Sequence, residues 1–279
     1  MIEDICIVCS ETNFSTWAIS HDIQNFTTVK CNACGFIWTN PRPSDEDIDE
    51  YYDNYAKLRS ALDKSVTDNR KIQYEIDRDF AYGFFEDEKE ICTLDFGCYD
   101  GSFLSIFDNR FKKHGIDKSK DAIEWAKNNL EFGNNMHCCK IVEAPYRDEY
   151  FDFIILRGVI EHLPHPNRDI RKVVQLLRPG GLLYLCATPN VDSFSAKKFK
   201  NRWNQFKPPE HLLYFSDYTL ERYLGLFGMT MLAKYFPYVE TPYANTKKDY
   251  TNIKEAYSNG NETVCTPFYN NMMNVMFIK

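Results

Sequence analysis

The stretch "LDFGCYDGSFL", Leu94 to Leu104, decides how this chain folds. Its opening residues end an apolar run of the kind a buried strand uses, and Gly97 then turns the chain. Asp95 stands just before the turn, Gly101 closes it, and Tyr99 holds the middle position where a dinucleotide-binding loop uses glycine. Outward from here, the pattern alternates strand and helix from residue 91, which implies a parallel sheet covered on both faces. "EICTLDF" is the first strand, and "FKKHGID" is the second, ending at Asp117. "HCCKIV", "FDFIIL" and "GLLYLCATPN" follow, and "MTMLAKYF" with "NVMFIK" closes a sheet of seven strands. Ile123, Ala126 and Leu130 stripe one covering helix, and Ile170, Val173, Val174 and Leu177 another that stops at "RPGG". Ser216 caps a later helix, and the polar stretch from Thr241 to Asn271 reads as loop. The fold class is α/β, doubly wound.

Ligands of open parallel sheets bind at the carboxyl ends of the strands, where Asp95 and Asp117 both fall. An acid about 20 residues beyond the glycine turn suits the two hydroxyls of a ribose, and Asp117 fills that place. Charge then chooses the ligand. A dinucleotide brings a pyrophosphate that Asp95 would repel, to a loop in which Tyr99 replaces the close-approach glycine. S-adenosylmethionine has the same adenosine without phosphate, and its ammonium and sulfonium are cations that an acid favours. The loop is therefore expected to hold S-adenosylmethionine.

Cys6 with Cys9 and Cys31 with Cys34 form two C-x-x-C pairs about 20 residues apart, the spacing of a four-thiolate structural zinc site. Such a site is closed and takes no part in chemistry. His21 lies between the pairs, but four cysteines suffice. The other six cysteines (Cys92, Cys98, Cys138, Cys139, Cys186 and Cys265) lack pairing and read as small core residues. "NPRP", residues 40–43, breaks regular structure, and Ser44 is an N-cap for a helix whose Ile48, Tyr51, Tyr52 and Tyr55 share one face. The expected division is a zinc-ribbon module over 1–40, a helical linker or cap over 41–90, and the sheet domain over 91–279.

The 279 residues are 44% hydrophobic and 26% charged, ordinary for a soluble globular protein. No run approaches the roughly 18 apolar residues of a membrane helix. "MIEDICIVCS" has no basic-then-apolar signal pattern, so a cytoplasmic location is expected. The net charge of −7 disfavours an extensive nucleic-acid surface.

"LDFGCYDGSFL", "HGIDKSKDAIEWAK", "FDFIILRGVIEHLPHP" and "LLRPGGLLYLCATPN" resemble, in order, the signature segments of class I S-adenosylmethionine-dependent methyltransferases. The paired cysteines, "NPRPSDEDIDEYYDNY" and "RWNQFKPPEHLLYFSDYTLERYLGLFG" are similar to a bacterial branch of that family with an N-terminal zinc ribbon. The resemblance implies a Rossmann-like sheet domain in which Gly97, Gly101 and Asp117 contact the cofactor and Asp95 lies near its methionine portion. It also implies adenine near Glu143, and the methionine end near Leu156 and Arg157. Tyr99, where the family has glycine, narrows that pocket. Members of this branch are associated with methylation of sugars and other cell-surface building blocks.

Methyl transfer from a sulfonium is an in-line displacement, accelerated by aligning the acceptor, and a hydroxyl acceptor must also lose a proton. His211, His162 and His165 lie on segments expected at the carboxyl edge, with His211 the expected base and His162 and Glu161 supporting it. The alternative for His162 and His211 is a hydrogen-bonded structural residue, and His165, flanked by Pro164 and Pro166, reads as a rigid-turn residue. A metal-assisted version would use Glu161, His162 and a further histidine as ligands. "AKKFKNRWNQFK" brings Lys197, Lys198, Lys200, Arg202 and Lys207 together, either as a solvated helix face or as a clamp for a phosphate-bearing acceptor. The expected function is O-methylation of a sugar or nucleotide-linked glycan building block. An RNA base methyltransferase gripping nucleic acid with its zinc module and an inactive cofactor-binding scaffold are the alternatives.

Overall fold

The computed structural model describes residues 5–20, 26–48, 64–86, 90–259 and 265–279. The apolar run Phe153 to Leu156 is wholly buried because its strand, β7 (Phe151–Arg157), lies mid-sheet and is covered on both faces. Around it stand β4 (Ile91–Phe96), β5 (Phe111–Asp117), β6 (Met136–Cys138), β8 (Leu177–Pro189), β10 (Thr230–Tyr235) and β11 (Met272–Ile278). The order across the sheet is β10-β11-β8-β7-β4-β5-β6. All neighbours pair in parallel except β11, which runs antiparallel between β8 and β10. The chain winds outward from β4 in one direction and returns to β7 on its other side, so the crevice between β4 and β7 is the switch point.

Helices α1 (Lys64–Tyr82), α2 (Ser102–Ser105), α3 (Lys120–Asn129) and α4 (Pro166–Leu176) come from this half of the chain. In α4, Ile170, Val173, Val174 and Leu176 are buried, as the i, i+3, i+4 spacing requires. Later come α5 (Phe194–Phe199), α6 (Asp217–Gly225) and α7 (Thr246–Asn259). Ser216 caps α6, accepting from the Thr219 amide at 3.1 Å.

A second, antiparallel sheet holds β1 (Phe14–Ile19), β2 (Thr27–Cys31), β3 (Ile37–Thr39) and β9 (Leu213–Tyr214) in that order. Three strands come from the N-terminal segment and the fourth from the connection after β8. Phe36 packs its ring 4.8 Å from Phe215, and one buried cluster runs from Cys6, Phe36 and Trp38 to Leu94 and Ile154. Ser44 does cap a helix beginning at 45, its Oγ accepting from Asp47 N while Asp47 Oδ2 accepts from Ser44 N, both at 3.1 Å. Of that helix's expected apolar face Ile48 is buried, whereas Tyr51, Tyr52 and Tyr55 lie outside the described residues, as does His21.

Two expectations need correction. The strand expected over "HCCKIV" is only Met136–Cys138, followed by a 3-10 turn at Ile141–Glu143. It is an edge strand with a single neighbour, and its outward Cys138 is exposed instead of packed in the core. The stretch from Thr241 contains α7. Its buried face carries little apolar side chain, Ile253 and Ala256, so the helical period was faint in the sequence. Buried Asp249 anchors it, accepting from Tyr238 Oη at 2.8 Å and the Asn245 amide at 2.9 Å.

Candidate functional site

At the end of β4 both glycines are required. Gly97 has φ +80° and Gly101 φ +76°, a backbone region that favours glycine. A side chain would also collide, since a Cβ on Gly97 would lie 2.6 Å from Val159 and one on Gly101 2.7 Å from Leu130. Tyr99 takes φ +51° between them, a strained choice for a bulky residue. What holds it is Asp117: the Tyr99 amide donates to Asp117 Oδ2 and the Ser119 amide to Oδ1, each at 2.8 Å. The same carboxylate that pins the loop thus lies at the end of β5, beside the glycine turn. With about four lone-pair directions, a carboxylate has capacity for hydroxyls as well as amides.

Asp95 is buried directly beneath the turn, and its Oδ1 has no hydrogen-bond partner among the described residues. Burial pushes its pKa up to about 7, against the opposing pull of Arg157. Leu156 is wholly buried in the core, which leaves Arg157 as the β7 side chain at the strand end. Glu143 lies apart from this group on an exposed turn, where its carboxylate accepts from the Lys140 amide at 3.2 Å.

Arg157 is held by a residue the sequence reading did not single out. Its Nε and Nη2 donate to Asp77 Oδ2 on α1 at 3.0 and 2.9 Å, and Asp77 is wholly buried. Asp77 Oδ1 accepts from Gln73 Nε2 at 3.0 Å and from Asn274 Nδ2, on β11, at 2.9 Å. Asn274 Oδ1 in turn accepts from the Ala187 amide at the end of β8. A faint signal was present: Tyr74, Asp77 and Ala81 share the buried face of α1, so a lone carboxylate sits where an apolar residue is expected.

Glu161, His162 and His211 do come together: one ligand-capable atom from each lies within 4.8 Å of the others. Glu161 and His162 sit on the 3-10 turn after β7, and His211 just precedes β9. His162 Nδ1 donates to the Glu210 carbonyl at 2.9 Å and His211 Nδ1 to the Gln205 carbonyl at 2.8 Å. Those bonds fix both tautomers and leave Nε2 as the lone-pair nitrogen. The rings meet edge to face, with centroids 4.7 Å apart. Burial lowers both histidine pKa values, that of His211 well below 6.5, and raises that of Glu161 to about 8. Arg157 pulls down the pKa values of both Asp95 and Glu161, so the two groups of residues are electrostatic neighbours. His165 is elsewhere, on Asp45 at 3.0 Å. In the basic stretch, Phe199, Trp203 and Phe206 are core residues, Lys197 pairs with Asp192, and Lys198 lies over Tyr257.

Residues 69–234 match a family described as a methyltransferase domain. The chain belongs to that family. The ubiquinone biosynthesis O-methyltransferase of Coxiella burnetii is 33% identical over 100 residues, covering 33% of this chain and 41% of that protein. The probable tRNA methyltransferase 9B of Mus musculus is 32% identical over 106 residues, covering 37% and 23%. The chain thus spans less than half the length of these curated relatives. Among solved structures, the YcgJ protein of Bacillus subtilis shares the fold at a TM-score of 0.53 and 18% identity, covering 74% of this chain and 98% of that one. The methyl donor of such a domain is S-adenosylmethionine. The orphaned Asp95 oxygen and the glycine turn that closes over β4 fit a cationic, phosphate-free adenosine cofactor.

Beside the methyltransferase domain, Cys6, Cys9, Cys31 and Cys34 gather their sulfurs within 4.8 Å of one another. Cys6 and Cys34 are 3.6 Å apart and Cys9 and Cys31 3.5 Å. Four thiolates at about 2.3 Å from a tetrahedral zinc ion would be spaced about 3.8 Å apart, so the donor set fits. Burial pushes the thiols of Cys6 and Cys34 up, that of Cys34 to about 11, which a bound cation would reverse. Among the described residues no helix is long and apolar enough to cross a membrane.

Proposed function

We propose that this protein is an S-adenosylmethionine-dependent O-methyltransferase acting on a sugar or nucleotide-linked glycan building block, with a structural zinc ion on its four N-terminal cysteines. The observation that carries the cofactor reading is the pair of acids at adjacent strand ends: Asp95, buried with an unpartnered oxygen, and Asp117, pinned at the loop by two amides. The bound cofactor would supply an electrophilic methyl group. Gly97 and Gly101 let the backbone approach it, Asp117 would take the ribose hydroxyls, and Tyr99 would narrow the pocket. Arg157 and the Leu156 backbone would border the methionine end, and the segment around Glu143 the adenine.

On the acceptor side, His211 would take the hydroxyl proton on Nε2, with His162 and Glu161 supporting it from beside the ring. The bond from its Nδ1 to the Gln205 carbonyl supports this role, because it leaves Nε2 as the lone-pair nitrogen. The spacing of Glu161, His162 and His211 also supports a second reading, in which the three hold a divalent cation that binds the acceptor oxygen. Turnover that survives exhaustive chelation, once the acceptor is known, would separate base from metal. The tRNA-modifying relative keeps an RNA acceptor in view, but the net charge of −7 supports a small acceptor. A cofactor-binding scaffold without activity is excluded by turnover with any acceptor.

The direct test is calorimetry with S-adenosylhomocysteine. Asp117→Ala is expected to weaken binding by about 1.5–3 kcal/mol, the scale of hydrogen bonds to a charged group. Unchanged affinity would remove Asp117 from the cofactor site.

A further inference from the structure

Helix α7 carries a row of side chains that the fold does not use. Asp249, Ile253 and Ala256 take its inner face. Lys247, Tyr250, Lys254 and Tyr257, spaced three, four and three residues apart, fall along one exposed flank. Tyr250 is 60% exposed and Tyr257 55%, so neither ring serves a core. Lys198 extends the row onto α5, its Nζ 5.1 Å from the centre of the Tyr257 ring. Ala196 and Phe199 of α5 share a buried cluster with Ile253 and Ala256, which fixes the two helices as one surface. The cluster also contains Trp203 and Tyr214, and Tyr214 Oη donates to the His211 carbonyl at 3.0 Å. The row thus stands on the block that carries His211. It also stands at the right edge of the sheet. β10 runs parallel to β8, and Met272 of β11 lies opposite Pro189 at the end of β8, so residues 236–271 leave and rejoin the sheet at its carboxyl edge.

The chemistry of the row is mixed. An exposed tyrosine ring can stack on the C–H face of a pyranose while its hydroxyl bonds to sugar hydroxyls. Lysines pair with acid groups. Between Tyr250 and Tyr257 the helix rises about 10 Å, the length of two linked pyranose rings. A nucleic acid would instead bring a phosphate with every residue, to a chain of net charge −7 and a patch where Asp192 already pairs with Lys197 and Glu255 adjoins Lys254.

We infer that this row is a docking strip for an acidic glycan chain, with pyranose rings on Tyr250 and Tyr257 and their carboxylate or phosphate groups on Lys198, Lys247 and Lys254. The acceptor sugar is then one unit of a longer saccharide, gripped at a distance from the reacting hydroxyl. This rests on the sugar-acceptor reading above and extends it from one sugar to a chain.

The test is calorimetry on the full chain without cofactor, using four defined probes. Hexagalacturonate offers carboxylates, mannopentaose phosphate a phosphate, cellohexaose neither, and hexauridylate phosphates without pyranose rings. At least one of the two acidic saccharides is expected to bind roughly tenfold or more tighter than cellohexaose and hexauridylate, and which one does so identifies the acid group. Tyr250→Ala/Tyr257→Ala should weaken that binding roughly ten- to hundredfold, the scale of losing aromatic anchors at a binding surface. Lys247→Gln/Lys254→Gln should weaken it too and flatten its salt dependence. Both variants should bind S-adenosylhomocysteine as the parent does, which shows them folded. No binding of either acidic saccharide, or binding that neither variant weakens, would overturn the inference. So would equal binding of cellohexaose, which removes the lysines from the account, or tighter binding of hexauridylate, which makes the strip a nucleic-acid surface. Turnover on an acceptor that is no sugar, in a protein whose strip binds an acidic saccharide, would instead overturn the acceptor reading beneath it.

Discussion

The bond from His211 Nδ1 to the Gln205 carbonyl decides which nitrogen of that ring is available for chemistry. With Nδ1 donating, Nε2 keeps its lone pair, and burial beside His162 and Lys207 holds the ring neutral well below pH 6.5. His211→Ala is therefore expected to bind S-adenosylhomocysteine normally and to lose roughly 10²–10⁴-fold in turnover, the range for a missing general base. The sign of the pH effect follows. Protonation removes the base, so turnover of the parent should fall on acidification, with a midpoint below the ordinary histidine range. A pH–rate profile with its acid limb at or above 6.5 would assign the limb to another group. At this scale the sequence was informative where backbone geometry dictates residue type, as at Gly97, Gly101 and Asp117. It marked Asp77 only faintly and was silent on its pairing with Asn274, which stands 197 positions away and acquires meaning only when β11 lies beside β8. Their residue types carry no mark of that pairing.

Among the elements, β9 changes how the N-terminal module is understood. The spacing of the cysteines predicted a zinc-ribbon module over 1–40 packed on the main domain through the helix after it, and β3 in addition pairs with Leu213 and Tyr214. The Thr39 amide donates to the Leu212 carbonyl at 2.9 Å, and the Leu212 amide to the Glu161 carbonyl at 2.8 Å. Arg42 adds a bond to the Pro164 carbonyl. A strand of two residues has no readable period, which is why the sequence hid it. The consequence is testable with zinc. Purified protein is expected to contain one zinc ion per chain, and Cys34→Ser to lose it. Hydrogen exchange should then accelerate at Trp38, Leu212 and Leu213 while the amides of β4 and β7 stay protected. Unaltered exchange at Leu212 and Leu213 would show that β9 is held by the sheet domain alone.

At the scale of the molecule, the described residues form two sheets that share a buried apolar cluster. Trp38 and Phe36 from the N-terminal sheet and Leu94 and Ile154 from the large sheet belong to the same buried cluster. Calorimetric unfolding of the zinc-loaded protein is accordingly expected to show a single transition, since neither sheet can open without exposing the other's buried face. Two resolved transitions would mean the sheets melt independently. The alternation of strand and helix made the large sheet legible from residue 91 to the end, because a mid-sheet strand must be apolar throughout. The joining of the two sheets was not legible, for it depends on contacts such as Phe36 with Phe215 that leave no periodic trace.

The position of β11 bears on how the protein is made. This strand is the last of the sheet to be synthesised, yet it fills an interior place between β8 and β10. Until Met272–Ile278 leaves the ribosome, the nascent chain shows an open edge on β8, where Leu182 to Cys186 are apolar, and β10 has no neighbour to join. An unpaired apolar edge invites pairing with other chains. Asn274, which completes the shell around Asp77, arrives with the same strand. A polypeptide stalled shortly before β11 is thus expected to be sticky and to leave Asp77 Oδ1 with Gln73 alone, whereas arrival of that strand closes the edge and completes the shell around Asp77 in one event.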